Sequence, residues 1–306
     1  MKIQKTYGIY LFSFALIWAF WLQITAKPSQ PKPNPKEEIW FLSPPETLSL
    51  PNFKVIDTRS YLSRFKNKIP NGIVLSWEDL SLTDAPFRGK LLNEDKIQKK
   101  LSVLGISPND WLVVLGDRKN GWGEEGRLVW SLREVGYHQS FWYDGSDISL
   151  LNILKQRKQL KTNSNQSSVS FLQKENILSQ KTNITKEEIK RDLGLGTYQI
   201  LDTREVREFN GSTPYGEVRG GHIPGAKSLY YQNLLDDTGK IKSKEQVEKT
   251  LSKLGISPTK PIIAYCTGGV RSAFVVGILR SYGYNAYNYS GSMWEWSSFP
   301  DLPLEK

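Results

Sequence analysis

The chain's single cysteine, Cys266, heads the run Cys266-Thr267-Gly268-Gly269-Val270-Arg271-Ser272. Before it lies Ile262-Ile263-Ala264-Tyr265, a short apolar stretch of the kind that forms a buried strand. After it, Ser272 to Tyr282 carry a helical pattern that Gly283 would end. Strand, cysteine, glycine-containing loop and helix N-terminus together make an anion cradle, because successive backbone N–H groups point inward and the helix end adds partial positive charge. A thiol with a free pKa of about 8.5 is lowered in such a place and becomes a thiolate near neutral pH. Arg271 supplies a fixed positive charge for an anionic substrate. Lone cysteines are usually small buried hydrophobes, but a strand end followed by Thr-Gly-Gly suits a nucleophile better.

The elements that must position this loop occur twice. Val55-Ile56-Asp57-Thr58-Arg59 answers Ile200-Leu201-Asp202-Thr203-Arg204, and Leu104-Gly105-Ile106-Ser107-Pro108 answers Leu254-Gly255-Ile256-Ser257-Pro258. Apolar runs follow each, Leu112 to Leu115 and Ile262 to Tyr265, and Tyr143-Asp144-Gly145-Ser146 answers Tyr289-Ser290-Gly291-Ser292. Order and spacing are kept, so two homologous domains are expected, over 39–152 and 170–306. Short aliphatic runs alternating with helical patterns predict an α/β class, each domain a mainly parallel sheet flanked by helices. Ligands of such sheets bind beyond the carboxyl ends of the strands, where Cys266 falls. The repeat sets Asp117 against Cys266.

A chain of 306 residues, 39% hydrophobic and 24% charged with ten tryptophans, has the composition of two folded domains. Its formal charge of +10 reads as a dispersed solvated surface. No basic run is interleaved with aromatics, so nucleic acid is not expected as a partner. One cysteine permits no internal disulfide. With only His138 and His222 beside it, no metal site is expected.

The N-terminal part differs. Lys2 and Lys5 precede an uncharged run from Thr6 to Ala26 of nearly spanning length, so residues 1–26 predict a single membrane anchor. The alternative is a signal cleaved after Ala26, giving an exported soluble protein. Residues 27–38, in which Pro alternates with polar residues, predict an extended spacer. The polar stretch Lys155 to Ser168 predicts an interdomain linker, over 153–169.

The sequence resembles the rhodanese family of thiosulfate and mercaptopyruvate sulfurtransferases. The resemblance is carried by Asp202-Thr203-Arg204, Gly221-His222-Ile223-Pro224-Gly225-Ala226, Tyr265 to Ser272, and Gly291-Ser292-Met293-Trp294-Glu295-Trp296, in that order. It covers the second domain nearly completely and the first more loosely, as in tandem members whose first domain is inactive. It implies that the Cys266 thiolate takes sulfur from a small anionic donor such as thiosulfate or 3-mercaptopyruvate, forms a persulfide, and passes the sulfur to a thiophilic acceptor without a cofactor. Thr267, Gly268, Gly269, Val270 and Arg271 would cradle the sulfur, with Arg204 and Arg207 as further substrate-binding candidates. Asp202 and Arg204 also read as a loop-fixing pair, His222 as part of a structural turn, and Trp294 and Trp296 as packing. Tandem members often carry a substrate-binding arginine where this chain has Glu208, beside Arg207, with Arg219 a further possible substitute.

Two other classes compete. Phosphatases and arsenate reductases use cysteine and arginine around an oxyanion, but with five intervening residues, whereas Cys266 and Arg271 enclose four. A membrane-tethered persulfide carrier or binding module would use the same cysteine for a dedicated protein acceptor.

Overall fold

Runs such as Leu112-Val113-Val114-Leu115 are apolar on both sides, and strands of that kind pair in parallel where both faces are covered. In the computed structural model, which describes residues 38–117, 120–163 and 181–306, this is what they do. The first half runs β1 (Phe41–Leu42), α1 (Pro44–Ser49), β2 (Phe53–Asp57), α2 (Tyr61–Lys66), β3 (Ile73–Val74), α3 (Glu94–Val103), β4 (Trp111–Leu115), α4 (Glu124–Glu134), β5 (Ser140–Tyr143) and α5 (Asp147–Asn163). The second runs α6 (Lys186–Asp192), β6 (Gln199–Asp202), α7 (Val206–Phe209), β7 (Lys227–Ser228), α8 (Lys244–Lys253), β8 (Ile262–Tyr265), α9 (Val270–Ser281), β9 (Ala286–Asn288) and α10 (Ser292–Trp296).

Both sheets are parallel, ordered β1-β5-β4-β2-β3 and β7-β6-β8-β9. The repeat is therefore a repeat of topology, β2 and β4 answering β6 and β8. The registers correct one alignment. Asp57 lies opposite Leu115 and Asp202 opposite Tyr265. Leu115 thus answers Tyr265, and Gly116, not Asp117, stands in the place of Cys266.

Strand alternation divides the core. Leu112 and Val114 face inward with Ile262 and Ala264 in one buried cluster shared by both halves, while Val113 and Leu115 face one outer cluster and Ile263 and Tyr265 another. Helices α4 and α9 pack along each other at the centre of that shared cluster. Their approach needs glycine: a Cβ on Gly126 would lie 2.7 Å from Phe274 Cα.

Helix α5 runs through Asn163, into the stretch the sequence marks as linker. Apolar periodicity stops near Leu154, so nothing in that signal predicts a helix beyond it. Arg157 supplies the reason, donating from Nη1 to the carbonyls of Leu48 and Leu50 at 2.7 and 2.6 Å and from Nη2 to that of Pro51 at 2.8 Å. The rest of the linker, residues 6–26 and nearly all of the spacer lie outside the described residues. Among the described residues no helix is long and apolar enough to cross a membrane.

Candidate active site

Strand β8 delivers Cys266 to the carboxyl edge of its sheet, and α9 begins four residues later at Val270. Gly269 is the helix N-cap with φ of +78°, a conformation that L side chains rarely adopt. The turn curls the loop around the sulfur. Backbone N–H groups of Gly268 and Ser272 are directed at Cys266 Sγ. The Ser272 hydroxyl lies 3.7 Å from Sγ and 2.6 Å from Asn288 Oδ1, so its one proton serves either the sulfur or the amide. The Cys266 N–H is itself held, donating to Ser292 Oγ at 3.0 Å.

Cys266 is 1% exposed. Burial alone pushes a thiol up, but the Arg271 charge and the Ser272 and Gly268 donors outweigh it and bring the thiol below its ordinary value. The site therefore shifts the thiol toward the thiolate without exposing it.

Among the expected cradle residues, Thr267, Gly268, Gly269, Val270 and Arg271 are all buried and continuous with Cys266. Arg271 bonds both oxygens of Glu208, at 2.7 and 2.9 Å, and Thr267 Oγ1 at 2.6 Å. Thr267 Oγ1 also lies 2.9 Å from Glu208 Oε1 and 3.4 Å from Glu217 Oε1.

Arg204 is placed elsewhere. Its guanidinium is fully buried, held by Asp202 at 2.6 to 3.0 Å and by the Gly221 carbonyl at 2.7 Å, which makes it a brace of the loop after β6 and keeps it from a substrate. Exposed Arg207 pairs with Glu205 at 2.6 Å. Arg219 spends its guanidinium on the carbonyls of Trp296, Ser297, Phe299 and Leu302. His222 stacks on Phe209 with ring centroids 3.7 Å apart, its Nδ1 3.0 Å from the Phe209 carbonyl, as a structural turn requires. Trp296 is buried core, whereas Trp294 lies against Gly268 of the cradle.

Sequence reasoning does not find what the first half contributes. Fully buried Arg127 of α4 donates to the Gly269 carbonyl at 3.0 Å, to Ser81 Oγ at 3.1 Å and to the Gly89 carbonyl. Burial lowers its pKa to about 10, so it remains a cation at neutral pH. Trp122 stands 5.6 Å over the Arg271 guanidinium and meets Tyr215 edge-on at 5.0 Å. Neither spacing nor periodicity marks these residues, because even the nearest partners of Arg127, Gly89 and Ser81, lie 38 and 46 positions away and Gly269 lies 142 away. Ser272 alone was within reach, as a member of the loop itself.

The rhodanese-like domain model matches this chain over residues 185–299. The second half is a rhodanese-like domain. In fold the chain is two such domains in tandem. The crystal structure of Tum1 from Saccharomyces cerevisiae superimposes with a TM-score of 0.64 at 23% identity, covering 87% of this chain and 98% of that one. Similarity to sulfurtransferases runs over most of the length. The chain is 25% identical to a thiosulfate sulfurtransferase of Azotobacter vinelandii over 260 residues, 84% of this chain and 93% of the relative. It is 28% identical to the sulfur carrier protein TtuD of Thermus thermophilus over 235 residues, 70% of this chain and 78% of that protein.

Proposed function

We propose that the protein is a rhodanese-type sulfurtransferase that moves sulfane sulfur to a thiophilic acceptor through a persulfide on Cys266. One observation carries the reading: a buried thiol at the carboxyl end of a parallel strand, held below its ordinary pKa by the Arg271 charge, the Ser272 hydroxyl and the N–H groups of Ser272 and Gly268. The thiolate attacks the outer sulfur of a donor, the donor's sulfur–sulfur bond breaks, and its electron pair leaves with the departing group. With thiosulfate that group is sulfite; in 3-mercaptopyruvate, a second candidate donor, the bond that breaks is carbon–sulfur, and its electron pair leaves on the enolate of pyruvate, which is then protonated. The N–H groups that hold the thiolate then hold the terminal sulfur, and an acceptor thiolate or cyanide removes it and regenerates Cys266. Thiocyanate formation from thiosulfate and cyanide tests the reading. Saturable turnover is expected, and background rates with thiosulfate and 3-mercaptopyruvate alike would contradict it.

Residues 6–26 support a tethered form of the same enzyme, since the run is uncharged and close to spanning length. Full-length protein should stay in the membrane pellet after carbonate washing. A soluble species beginning at Lys27 would overturn the tether and leave the sulfur chemistry intact.

A further inference from the structure

Helix α2 is turned inside out. A surface helix ordinarily lays its apolar stripe on the core and its polar face in water, but α2 buries none of its residues. Polar side chains hold it to the body: Ser63 Oγ donates to Asp117 at 2.9 Å, Arg64 Nη1 to the Arg59 carbonyl, and the C-cap Asn67 to Asp147 at 3.0 Å. The apolar side chains point away from it. Tyr61, Leu62 and Phe65 are 70, 76 and 78% exposed, and the rings of Tyr61 and Phe65 stack with centroids 6.4 Å apart. At about 100° per residue the three share one arc of the helix, with Arg64 on one flank and Lys66 on the other.

Helix α7 shows that the fold does not require this. Counted from Asp57 and Asp202, which end corresponding strands, Leu62 and Phe65 stand where the second half has exposed Arg207 and Asn210, and Arg64 stands where Phe209 stacks on His222. Large apolar side chains grouped in water mark a surface that a partner covers. Charge points to the partner's chemistry. From Thr58 to Trp77 the chain holds four cations, Arg59, Arg64, Lys66 and Lys68, and no acid. The cavity that Ser63 and Lys66 line adds Ile148, 60% exposed, and Lys240, while its acids Asp117 and Asp147 are taken up by Ser63 and by Arg59 and Asn67. An aromatic and aliphatic face rimmed by Lys and Arg suits an anionic bilayer surface, where rings sit at headgroup level and cations meet lipid phosphates. We infer that α2 inserts Tyr61, Leu62 and Phe65 into the headgroup layer of an anionic membrane. The inference rests on the tethered form of the protein and not on the sulfur step. That tether makes lipid the partner within reach, since the twelve residues of the spacer, 27–38, span at most about 40 Å.

The test puts one nitroxide at a time on the full-length protein in vesicles of phosphatidylcholine and phosphatidylglycerol. A Cys266→Ser background has no other thiol, so the label goes only to an introduced cysteine: Leu62→Cys, Phe65→Cys or, at the matching place in the second half, Asn210→Cys. These positions are exposed, so the fold should tolerate all three. Labels at 62 and 65 should be relaxed by oxygen rather than by a water-soluble nickel chelate and lie about 5 to 10 Å below the lipid phosphates, while the label at 210 stays in water. Protein that stays with the vesicles but shows one environment at all three positions, water or lipid, overturns the inference and leaves the tether standing. Labels at 62 and 65 shielded from both reagents would place a protein surface on α2 and overturn it equally. Protein that leaves the vesicles altogether removes the tether and this inference together, with the sulfur chemistry untouched.

Discussion

The two halves build the same device, a parallel strand, a loop and a helix capped by a left-handed glycine, and differ in the length of the loop. Between β8 and α9 lie four residues, Cys266 to Gly269; between β4 and α4 lie eight, Gly116 to Gly123. The short loop has no slack, and it brings the N–H groups of Gly268 and Ser272 to one sulfur atom. A Cβ on Gly116 would run into the Glu125 carboxylate, which fills the space that the nucleophile's side chain takes in the other half. The extra residues reach outward instead: the Gly121 carbonyl accepts from the Tyr231 hydroxyl at 2.9 Å, and Trp122 covers Arg271. Loop length thus separates a half that can do chemistry from one that shapes its neighbour's site.

Breaking the comparison at its centre has the largest expected effect. Cys266→Ser should lower thiocyanate formation at least about a thousandfold with little change in thermal stability, because the fold around the loop is held by backbone and neighbouring side chains. Next comes the contact through which the first half supports the second. Arg127→Met frees the Gly269 and Gly89 carbonyls, and should cost about 2 kcal/mol in denaturant unfolding and about tenfold in turnover. Turnover at the wild-type level would show that α4 supports the fold without supporting the loop.

Smaller effects concern the thiolate itself. Its pKa is lowered in the folded protein, so persulfide formation should rise with pH through that value and level off below the ordinary thiol range. Ser272→Ala removes a donor that favours the charged form, so the rising limb should move to higher pH and the rate below the plateau should fall about threefold. An unmoved limb would assign the lowering to Arg271 and the backbone alone. Asp117→Ala should leave turnover within about twofold, since Asp117 answers to Ser63 and Asn120. A loss comparable to that of Cys266→Ser would return chemistry to the first half.

The cradle was legible because everything it needs is local: a strand end, two glycines and a helix start within eight residues. The repeat was legible too, since Asp57-Thr58-Arg59 and Asp202-Thr203-Arg204 end corresponding strands. Asp117 was set one position off although the matched runs Leu112 to Leu115 and Ile262 to Tyr265, laid end to end, already put Gly116 opposite Cys266, and the pairing of β2 with β4 and of β6 with β8 fixes that register. Glu208 stood out as an oddity, but its pairing with Arg271 spans 63 positions and no periodicity reports it. Arg204 looked available to substrate by its motif, and burial against Asp202 removes it. Arg157 carries a helix through polar sequence by reaching carbonyls more than 100 positions away.

The central claim is that sulfur is carried on one atom of the second half. Intact mass of the full-length protein after incubation with thiosulfate, 3-mercaptopyruvate or 2-hydroxyethyl persulfide reads it directly. With at least one of these donors, the account predicts one added sulfur per chain, located on the Cys266 peptide, removed by cyanide and absent from Cys266→Ser. An unchanged mass with all three donors, or an added sulfur that survives in Cys266→Ser, would contradict it.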